Sequence, residues 1–286
     1  MNTQFWVIQV FNGVSYGALL FLVGSGLSLI FGVMRIVNLA HGSYFMLGGY
    51  IALSVINATG SWALSIPLAA LAVAVIGLLM ERVFLRPLGF DPLRQVLLTV
   101  GFAFLFQQAA LDIWGGNNMD ITPPAVLTRS IVIGGVYLPT YRMFMIGLAL
   151  AIGLALWLVI EKTRVGAAVR ATVDDAQMAR GVGIDTNRIS MFIFALGAFL
   201  AAVGGVIGGA FLGVFPGLDF EMLPLAFAVV IIGGMGSLSG AAIGALLVGL
   251  ADNFGKALFP EISYFTLYAP MVLILAVKPT GLFGRE

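Results

Sequence analysis

The sequence contains no cysteine, a single histidine and few charged residues, and each shortage excludes a class of function. A chain without cysteine forms no disulfide, no thiolate metal site and no cysteine nucleophile. His41 is the single histidine, and the chain has neither an HExxH motif nor a P-loop. Charged residues make up 9% of the 286 residues, and the net charge of +1 gives no reason to expect nucleic-acid binding. We therefore expect no catalytic residue, metal site, cofactor or nucleic-acid partner.

Apolar residues dominate the composition instead. Hydrophobic residues make up 60% of the chain, and the mean hydropathy is +1.07. A soluble domain of this length needs a charged exterior, which this composition does not supply. The sequence therefore predicts an all-α polytopic membrane protein, with residues 1–286 forming a single transmembrane domain. No basic residue precedes the first apolar run, so we expect that this run is kept as a helix and is not a cleaved signal peptide.

Several apolar runs are long enough to cross about 30 Å of hydrocarbon at a rise of about 1.5 Å per residue. We expect about seven to nine transmembrane helices. The predicted crossings are Phe5 to Val33, two helices divided at Asn57 to Ser61, Gln95 to Trp114, Arg142 to Ile160, Ile189 to Leu212 and Tyr264 to Val277. Gly115 to Tyr141 is polar and rich in helix breakers, so it is predicted to lie outside the membrane, with a small hairpin over Ser130 to Leu138.

The basic residues predict the orientation of the chain. Eleven of the fourteen Lys and Arg residues lie in the linkers around Arg35, Arg82 to Arg94, Lys162 to Arg188 and Lys278 to Arg285, which these crossings place on one side. Only Arg129, Arg142 and Lys256 remain for the other side. By the positive-inside rule the first side is cytoplasmic, with the N-terminus outside and the C-terminus inside.

The stretch from Lys162 to Arg188 is the longest charged run. The spacing of its apolar residues predicts an amphipathic helix over Val165 to Arg180. Gly181 and Gly183 are expected to end this helix through positive φ angles, and Asp185 or Thr186 is expected to cap the next one. Two interpretations remain open: a solvated connector whose charges set orientation, and a docking surface for a cytosolic partner.

Two glycine-rich segments interrupt apolar sequence, one in each half of the chain. The first break, Asn38 to Tyr50, contains a polar cluster, and the second break, Gly233 to Gly240, reads GGMGSLSG. The apolar piece before the second break, Glu221 to Ile232, spans roughly 18 Å and is too short to cross, so we expect a broken or re-entrant helical hairpin. Paired interruptions of this kind are typical of transport paths. The candidate path residues are Asn38, His41, Gly42, Ser43, Gly233, Gly234, Gly236 and Ser237.

A different function for these residues is simple helix packing, because small residues let helices approach closely in membranes. His41 is then a hydrogen-bonded packing residue. Within the predicted crossings the only carboxylates are Asp112 and Asp252, near the outer ends. An ion-coupled secondary carrier is therefore disfavoured, and an intramembrane enzyme would have only serines and His41 for its chemistry.

Four separated segments resemble the permease subunits of branched-chain amino-acid ABC transporters, and specifically the shorter of the two permeases in that system. They are LSLIFGVMRIVNLAHGSYFMLGGY at 27–50, RATVDDAQMARGVGI at 170–184, VVIIGGMGSLSGAAIGALLVG at 229–249 and PTGLFG at 279–284. The resemblance extends over nearly the whole chain. It implies the architecture of an ABC importer permease that forms a path for branched-chain or related amino acids, with urea or short amides as the alternative substrates.

The same resemblance implies partners and a location. These are a second homologous permease, two cytosolic ATPase subunits that hydrolyse the ATP, a periplasmic substrate-binding protein and the lipid of a bacterial inner membrane. Residues 162–188 become the cytoplasmic coupling loop, with Arg170, Asp174, Asp175, Ala176, Arg180 and Gly181 as its candidate contacts. Asp175-Ala176-Gln177 replaces the stricter Glu-Ala-Ala pattern, which leaves the individual roles open, as is the choice between two identical and two different permeases.

Overall fold

Each long apolar run of the sequence forms a helix in the computed structural model, which describes residues 3–89 and 91–284. The helices are α1 (Thr3–Met34), α2 (His41–Thr59), α3 (Trp62–Leu79), α4 (Pro92–Trp114), α5 (Thr140–Lys162), α6 (Arg164–Asp174), α7 (Ala176–Gly181), α8 (Thr186–Leu212), α9 (Leu218–Gly233), α10 (Leu238–Leu258) and α11 (Ser263–Val277). Two short strands, β1 (Ser130–Ile133) and β2 (Val136–Pro139), form an antiparallel hairpin.

Six of these segments are long and apolar enough to span a membrane. They are Thr3–Met34, Trp62–Leu88, Pro92–Trp114, Thr140–Lys162, Thr186–Leu212 and Leu238–Leu258. Three shorter helices, α2, α9 and α11, pack among them, with 19, 16 and 15 residues. With these three, the described part of the chain has nine apolar helices, of which six are long and apolar enough to span. The all-α polytopic membrane fold is therefore confirmed.

The centre of the bundle is formed by α1 and α8. In the apolar stretches of these two helices, 78% and 72% of the residues are buried, whereas only 22% are buried in those of α4 and α5. Small residues allow this central packing. A Cβ atom on Gly26 of α1 would collide with the backbone of Gly197 in α8, and one on Gly17 would collide with the backbone of Ala245 in α10. Helix association in membranes depends on such close backbone contacts, since burial of apolar surface drives little there.

The bundle has two chemically different ends. We call one the charged end, because residues around Met34, Arg86, Arg180 and Thr186 line one small cavity there. At the opposite hairpin end, Met119 pairs with Val214 through two backbone hydrogen bonds. The C-terminal linker lies at the charged end too, because Thr280 and Phe283 line a groove together with Arg35 and Arg170. The four basic linkers therefore share an end as far as they are described. Arg285, one of the eleven cations counted above, lies outside the described residues.

Two local predictions are confirmed. The turn between α2 and α3 falls at Gly60, which has a φ of 68° and ends α2 in the left-handed conformation. Ser61 then caps α3 by accepting the N–H of Leu64 at 3.4 Å. The predicted hairpin is also present, and its turn uses Gly134 and Gly135, both with positive φ.

The single helix predicted over Val165 to Arg180 is wrong. Asp175 is extended, with φ −152° and ψ 105°, and divides this stretch into α6 and α7. Its side chain accepts the N–H groups of Gln177 and Met178 at 2.8 and 2.9 Å, so the break is stabilised by a new N-cap. Gly183 has a φ of 89° but Gly181 has no positive φ, and Asp185 caps α8 as predicted.

The predicted boundaries of two other elements also need correction. The charged link after α3 begins as a π-helix, Met80–Leu85, followed by a 3-10 turn, Arg86–Leu88. Helix α9 begins at Leu218 and not at Glu221, because Gly217 with φ 104° starts it one turn earlier. Asp219 is thereby brought into the bundle with 2% of its surface exposed. The count of carboxylates in the predicted crossings, Asp112 and Asp252, did not include this residue, because it precedes the predicted start of the helix.

Candidate transport site and coupling segment

The first break places the start of α2 deep inside the bundle. Residues 35–40 are not helical, and Asn38 and His41 are fully buried. The Nε2 atom of His41 lies 3.0 Å from the carbonyl oxygen of Val23 in α1. Val23 is eleven residues from Met34, the last residue of α1, so this contact lies about 16 Å from the end of that helix. The chain therefore returns from the charged end to about half the depth of a bilayer before α2 begins.

Local hydrogen bonds satisfy the backbone of this re-entrant segment. Asn38 Oδ1 accepts the N–H of Ala40 at 3.1 Å, and the Asn38 carbonyl accepts the N–H of His41 at 3.3 Å. The N–H of Leu39 donates to Thr99 Oγ1 of α4 at 3.2 Å. Irregular backbone is tolerated at membrane depth only when protein or water pairs its polar groups. Asn38 therefore positions the first turn of α2.

The first turn of α9 meets the first turn of α2. Ser43 Oγ donates to Asp219 Oδ2 at 2.9 Å, and a Cβ atom on Gly42 would collide with the Asp219 carbonyl oxygen. We call the group of Asn38, His41, Gly42, Ser43 and Asp219 the helix junction. A helix N-terminus carries partial positive charge, and two such ends converge here around one carboxylate. This geometry stabilises negative charge in the interior of the bundle.

The helix junction also contains buried polar atoms that have no hydrogen-bond partner among the described residues. A carbonyl oxygen only accepts hydrogen bonds, so His41 Nε2 must donate to Val23 and the Nδ1 atom of the neutral ring is an acceptor. His41 Nδ1, Asp219 Oδ1 and Asn38 Nδ2 all lack a partner. Buried polar groups are paired in the large majority of cases, so three open atoms in one cluster require an explanation.

Polar side chains on α4 form an exposed face near the start of α9, beside the helix junction. Phe104 of α4 packs against Phe220, the residue after Asp219, with ring centroids 5.6 Å apart. Gln108 and Asp112 are exposed on α4, and Gln108 Nε2 donates to Asp112 Oδ1 at 2.8 Å. We call this the polar face. Carboxylates and amides are costly against lipid, so such a face favours contact with water or with another protein.

The second break lies at the charged end and is built from backbone contacts. Cβ atoms on Gly233 and Gly234 would collide with the backbones of Gly240 and Gly284. Gly234 and Gly236 have φ angles of 102° and 81°, which favour glycine at these positions. Ser237 caps α10 by accepting the N–H of Gly240 at 3.0 Å.

The two breaks are therefore at opposite ends of α9. Asp219 is fourteen residues from Gly233, a distance of about 21 Å along the helix axis. The structure brings Asn38, His41, Gly42 and Ser43 together, and it keeps Gly233, Gly234, Gly236 and Ser237 apart from them. Gly236 and Ser237 instead line a large groove of about 1320 Å³ bordered by α1, α5, α6 and α10.

The predicted coupling residues lie at the charged end. Asp174, Asp175, Arg180 and Gly181 are exposed, and Ala176 is half-buried. Arg170 Nη1 lies 3.5 Å from Glu161 Oε2 and also donates to the Ile160 carbonyl, which ties α6 to the end of α5. Arg180 Nε donates to Thr186 Oγ1 at 2.7 Å, which ties α7 to the start of α8.

The π-helix lies between this segment and the helix junction. A cavity of about 230 Å³ separates Glu81 and Arg86 from Ala176 and Arg180. On the other side of the π-helix, the Tyr44 hydroxyl donates to Met80 Sδ at 2.9 Å, and Tyr44 follows Ser43 in α2. π-Helices are rare and frequently occur at functional sites.

Sequence reasoning missed Asp219 and Glu81, both nearly fully buried. A signal for Asp219 was present, because Pro216-Gly217 is a turn pair and an acidic residue shortly after a turn is typical of the first turn of a helix. Glu81 gave no such signal, since a carboxylate in a charged linker is normally solvated.

Comparisons with known proteins agree with the resemblance noted in the sequence. The profile of the family described as "Branched-chain amino acid transport system / permease component" matches residues 9–275. The high-affinity branched-chain amino acid transport system permease protein BraD of Pseudomonas aeruginosa is 32% identical over 97% of this chain and 95% of its own length. The LivH permease protein of Salmonella typhimurium, named for the same kind of system, is 30% identical over 100% of this chain and 98% of its own length.

The chain is also similar to a longer permease. LivM of Salmonella typhimurium carries the same description as LivH and is 28% identical over 91% of this chain, which corresponds to 67% of LivM. No solved structure is significantly similar to the chain.

Proposed function

The chain belongs to the family of permease components of branched-chain amino acid transport systems, and from this premise we propose that it forms the translocation path for branched-chain or related amino acids. The path belongs to an ATP-driven importer in a bacterial inner membrane. The observation that carries the proposal is the helix junction, where buried polar groups without partners lie at about half the depth of a multi-pass bundle. Helix ends of this kind are used by transporters to bind polar substrates.

We propose a second homologous permease as the partner within the membrane. LivH and LivM of Salmonella typhimurium are both named as permease proteins of a high-affinity branched-chain amino acid system, and this chain is similar to both. The polar face is suited to the contact, because its carboxylate and amide would be paired or hydrated between two permeases and would be costly against lipid. The path then runs along this face, beside the helix junction.

The second break has a different place in the proposal. Gly233, Gly234, Gly236 and Ser237 form the turn between α9 and α10 at the charged end, where the path would open to the cytosol. Their tight backbone contacts are suited to a rigid turn that frames this opening without contacting the substrate.

Coupling to ATP hydrolysis would begin at α6 and α7. Two cytosolic ATPase subunits would contact the exposed residues Asp174, Asp175, Arg180 and Gly181. Movement of this segment would reach the π-helix through α8, which packs against both, and would pass from Met80 to Tyr44 in α2. Arg170 and Ala176 hold the segment against α5 and the cavity at Glu81. A periplasmic binding protein would deliver the amino acid at the hairpin end.

The experiment is reconstitution of the chain with a second permease, two ATPase subunits and a binding protein from the same organism. We expect uptake of leucine, isoleucine or valine that requires ATP and all subunits. Uptake of urea or short amides in their place would move the proposal to the alternative substrates. Uptake by the permease without ATPase subunits would contradict the importer assignment and support a secondary carrier.

A further inference from the structure

We propose that Asp219, with His41, forms a transit site that binds the ammonium group of the amino acid as it crosses the membrane. This inference rests on the proposed function and adds to it a binding site and the chemistry of the bound group. The site lies in the helix junction, at the N-terminal turns of α2 and α9.

The first step of the argument is the missing positive charge. Asp219 is 2% exposed, and within residues 3–89 and 91–284 no basic side chain forms an ion pair with it. One carboxylate oxygen accepts the Ser43 hydroxyl, and the other has no partner there. A buried carboxylate is costly unless a cation or several donors compensate it. The structure supplies donors for one oxygen and leaves the other for a ligand.

The second step is that local groups offset part of the cost of burying this carboxylate in its charged form. Two helix N-termini converge on it, and each contributes partial positive charge. The hydroxyl of Ser43 donates a hydrogen bond, which is stronger to a charged acceptor than to a neutral one. These features stabilise an anion, and an anion in this position attracts a cation.

The third step is the match between open acceptors and the donors of an ammonium group. Asp219 Oδ1 and His41 Nδ1 are both acceptors without partners among the described residues. An ammonium group has three donors and no acceptor, so it can pair with Asp219 Oδ1 and keep two donors for other acceptors of the helix junction, His41 Nδ1 among them. Urea and amides carry no positive charge, so the carboxylate favours an amino acid over these alternatives.

The fourth step is that the site is closed in this conformation. Gly42 lies directly against the Asp219 carbonyl, so a ligand enters only when α2 and α9 move apart. A transport site must also release its substrate, and weak, transient binding meets this need. Contact between the π-helix and Tyr44, the neighbour of Ser43, gives the coupling segment a mechanical route to this opening.

The test is the variant Asp219→Asn, which keeps the volume of the side chain and an oxygen for Ser43 and removes the charge. The measurement is the number of leucine molecules taken up per ATP hydrolysed by the assembled complex. We expect a fall of about ten-fold or more, because a hydrogen bond to a charged group contributes about 1.5–3 kcal/mol. Structural damage would instead lower the yield of complex, or lower uptake and hydrolysis together. Asp120→Asn, the same change at an exposed carboxylate of the hairpin end, is the control and should leave the ratio unchanged.

A ratio for Asp219→Asn equal to that of the unmodified chain would overturn the site. If this variant fails to assemble, His41→Gln replaces it, because glutamine keeps a donor for the Val23 carbonyl and lacks the Nδ1 acceptor. We expect the ratio of this variant to fall about three-fold or more, since an ordinary hydrogen bond contributes about 0.5–1.5 kcal/mol. An unchanged ratio would again overturn the site.

Two further results separate the ammonium group from other cations and from failure of the proposed function. Uptake by the unmodified complex should not change when choline replaces sodium or when a proton gradient is collapsed. Dependence on either ion would overturn the assignment, because the carboxylate would then serve that ion. Absence of any ATP-dependent leucine uptake by the unmodified complex would instead reject the proposed function before the variants are compared.

Discussion

The two glycine-rich breaks look alike in the sequence, yet polar side chains are buried at the first and glycine backbones are buried at the second. At the first break, the helix junction contains a carboxylate, a histidine and an asparagine that are each almost fully buried, with one open polar atom on each. At the second break, glycine backbones pack against one another and against the C-terminal segment. Within the described part of that break, no buried side-chain atom lacks a partner.

This difference teaches which sequence feature indicates a transport site. Glycine marks a place where backbones approach closely or where φ is positive, and both occur in ordinary helix packing. Buried polar atoms that the protein leaves unpaired are different, because each costs stability unless a ligand or water completes it. The first break therefore has the character of a binding site, and the second has the character of a packed turn.

The largest expected effect is a loss of stability when a glycine of the second break is replaced. In Gly240→Ala the new Cβ atom collides with the carbonyl of Gly233, so the turn between α9 and α10 must shift. Forced overpacking of this kind costs about 1–3 kcal/mol or more, and we expect at least about a ten-fold loss of folded permease extracted from the membrane. Gly147→Ala in α5, where nothing lies within 4 Å of the new atom, is the matched control. Equal yields for the two variants would show that the second break is not tightly packed.

A smaller effect is expected on transport, and it is measured by replacing one serine in each break with alanine. Ser43→Ala removes the donor to Asp219, and we expect uptake per assembled complex to fall about five-fold, as a charge-assisted hydrogen bond is lost. Ser237→Ala removes the cap of α10, which should cost about 1 kcal/mol of stability and change uptake per complex by less than about two-fold. Thermal unfolding of the purified permease and radiolabelled uptake measure the two quantities. If Ser237→Ala lowered uptake per complex and Ser43→Ala lowered only stability, the roles assigned to the two breaks would be wrong.

A change at the charged end tests whether the coupling segment acts on ATP hydrolysis or is only a connector between α5 and α8. Asp175→Ala removes the side chain that accepts the N–H groups of Gln177 and Met178, so the first turn of α7 should fray at a cost of about 1 kcal/mol. We expect substrate-stimulated ATP hydrolysis by the complex to fall about three-fold, whereas Asp175→Asn, which can still cap the helix, should retain it. Equal hydrolysis by both variants would return residues 162–188 to the interpretation of a simple connector.

The smallest expected effect is at an exposed ion pair of the same segment. Arg188 and Asp185 approach to 2.9 Å, but their side chains are 86% and 48% exposed. Exposed pairs contribute about 0–1 kcal/mol, so Arg188→Ala should leave yield, uptake and hydrolysis within about two-fold of the unmodified complex. A loss as large as that of Asp175→Ala would indicate that Arg188 contacts the ATPase directly.

The helices were predictable because each long apolar run meets the length that a membrane requires. Turn chemistry also located Gly60 and the hairpin at Gly134 and Gly135 correctly. The division of the coupling segment at Asp175 was not predictable from apolar spacing, since the spacing continues across it and the break depends on a side-chain cap. Local capping competes with helix propagation wherever an aspartate can satisfy two backbone N–H groups.

The candidate site was only half predictable. The polar residues Asn38, His41 and Ser43 stand out in apolar sequence, and they do lie together. Asp219 is 176 residues from Ser43 along the chain, and no local pattern shows that two distant helix ends meet. The separation of the two breaks along α9 could not be predicted for the same reason. Two segments of similar composition can lie close together or far apart in the fold, and their sequences do not indicate which.

The measurement that tests the central claim most directly is thiol labelling at the two breaks. The chain has no cysteine, so Ser43→Cys and Ser237→Cys each introduce a single reactive site whose labelling can be followed on this chain by mass spectrometry. In the assembled complex, Ser43→Cys should react with a small thiol reagent only during ATP-driven turnover, and saturating leucine should slow that reaction. Labelling of Ser237→Cys should be independent of leucine. Protection of Ser237→Cys by leucine, with labelling of Ser43→Cys that leucine does not affect, would contradict the account.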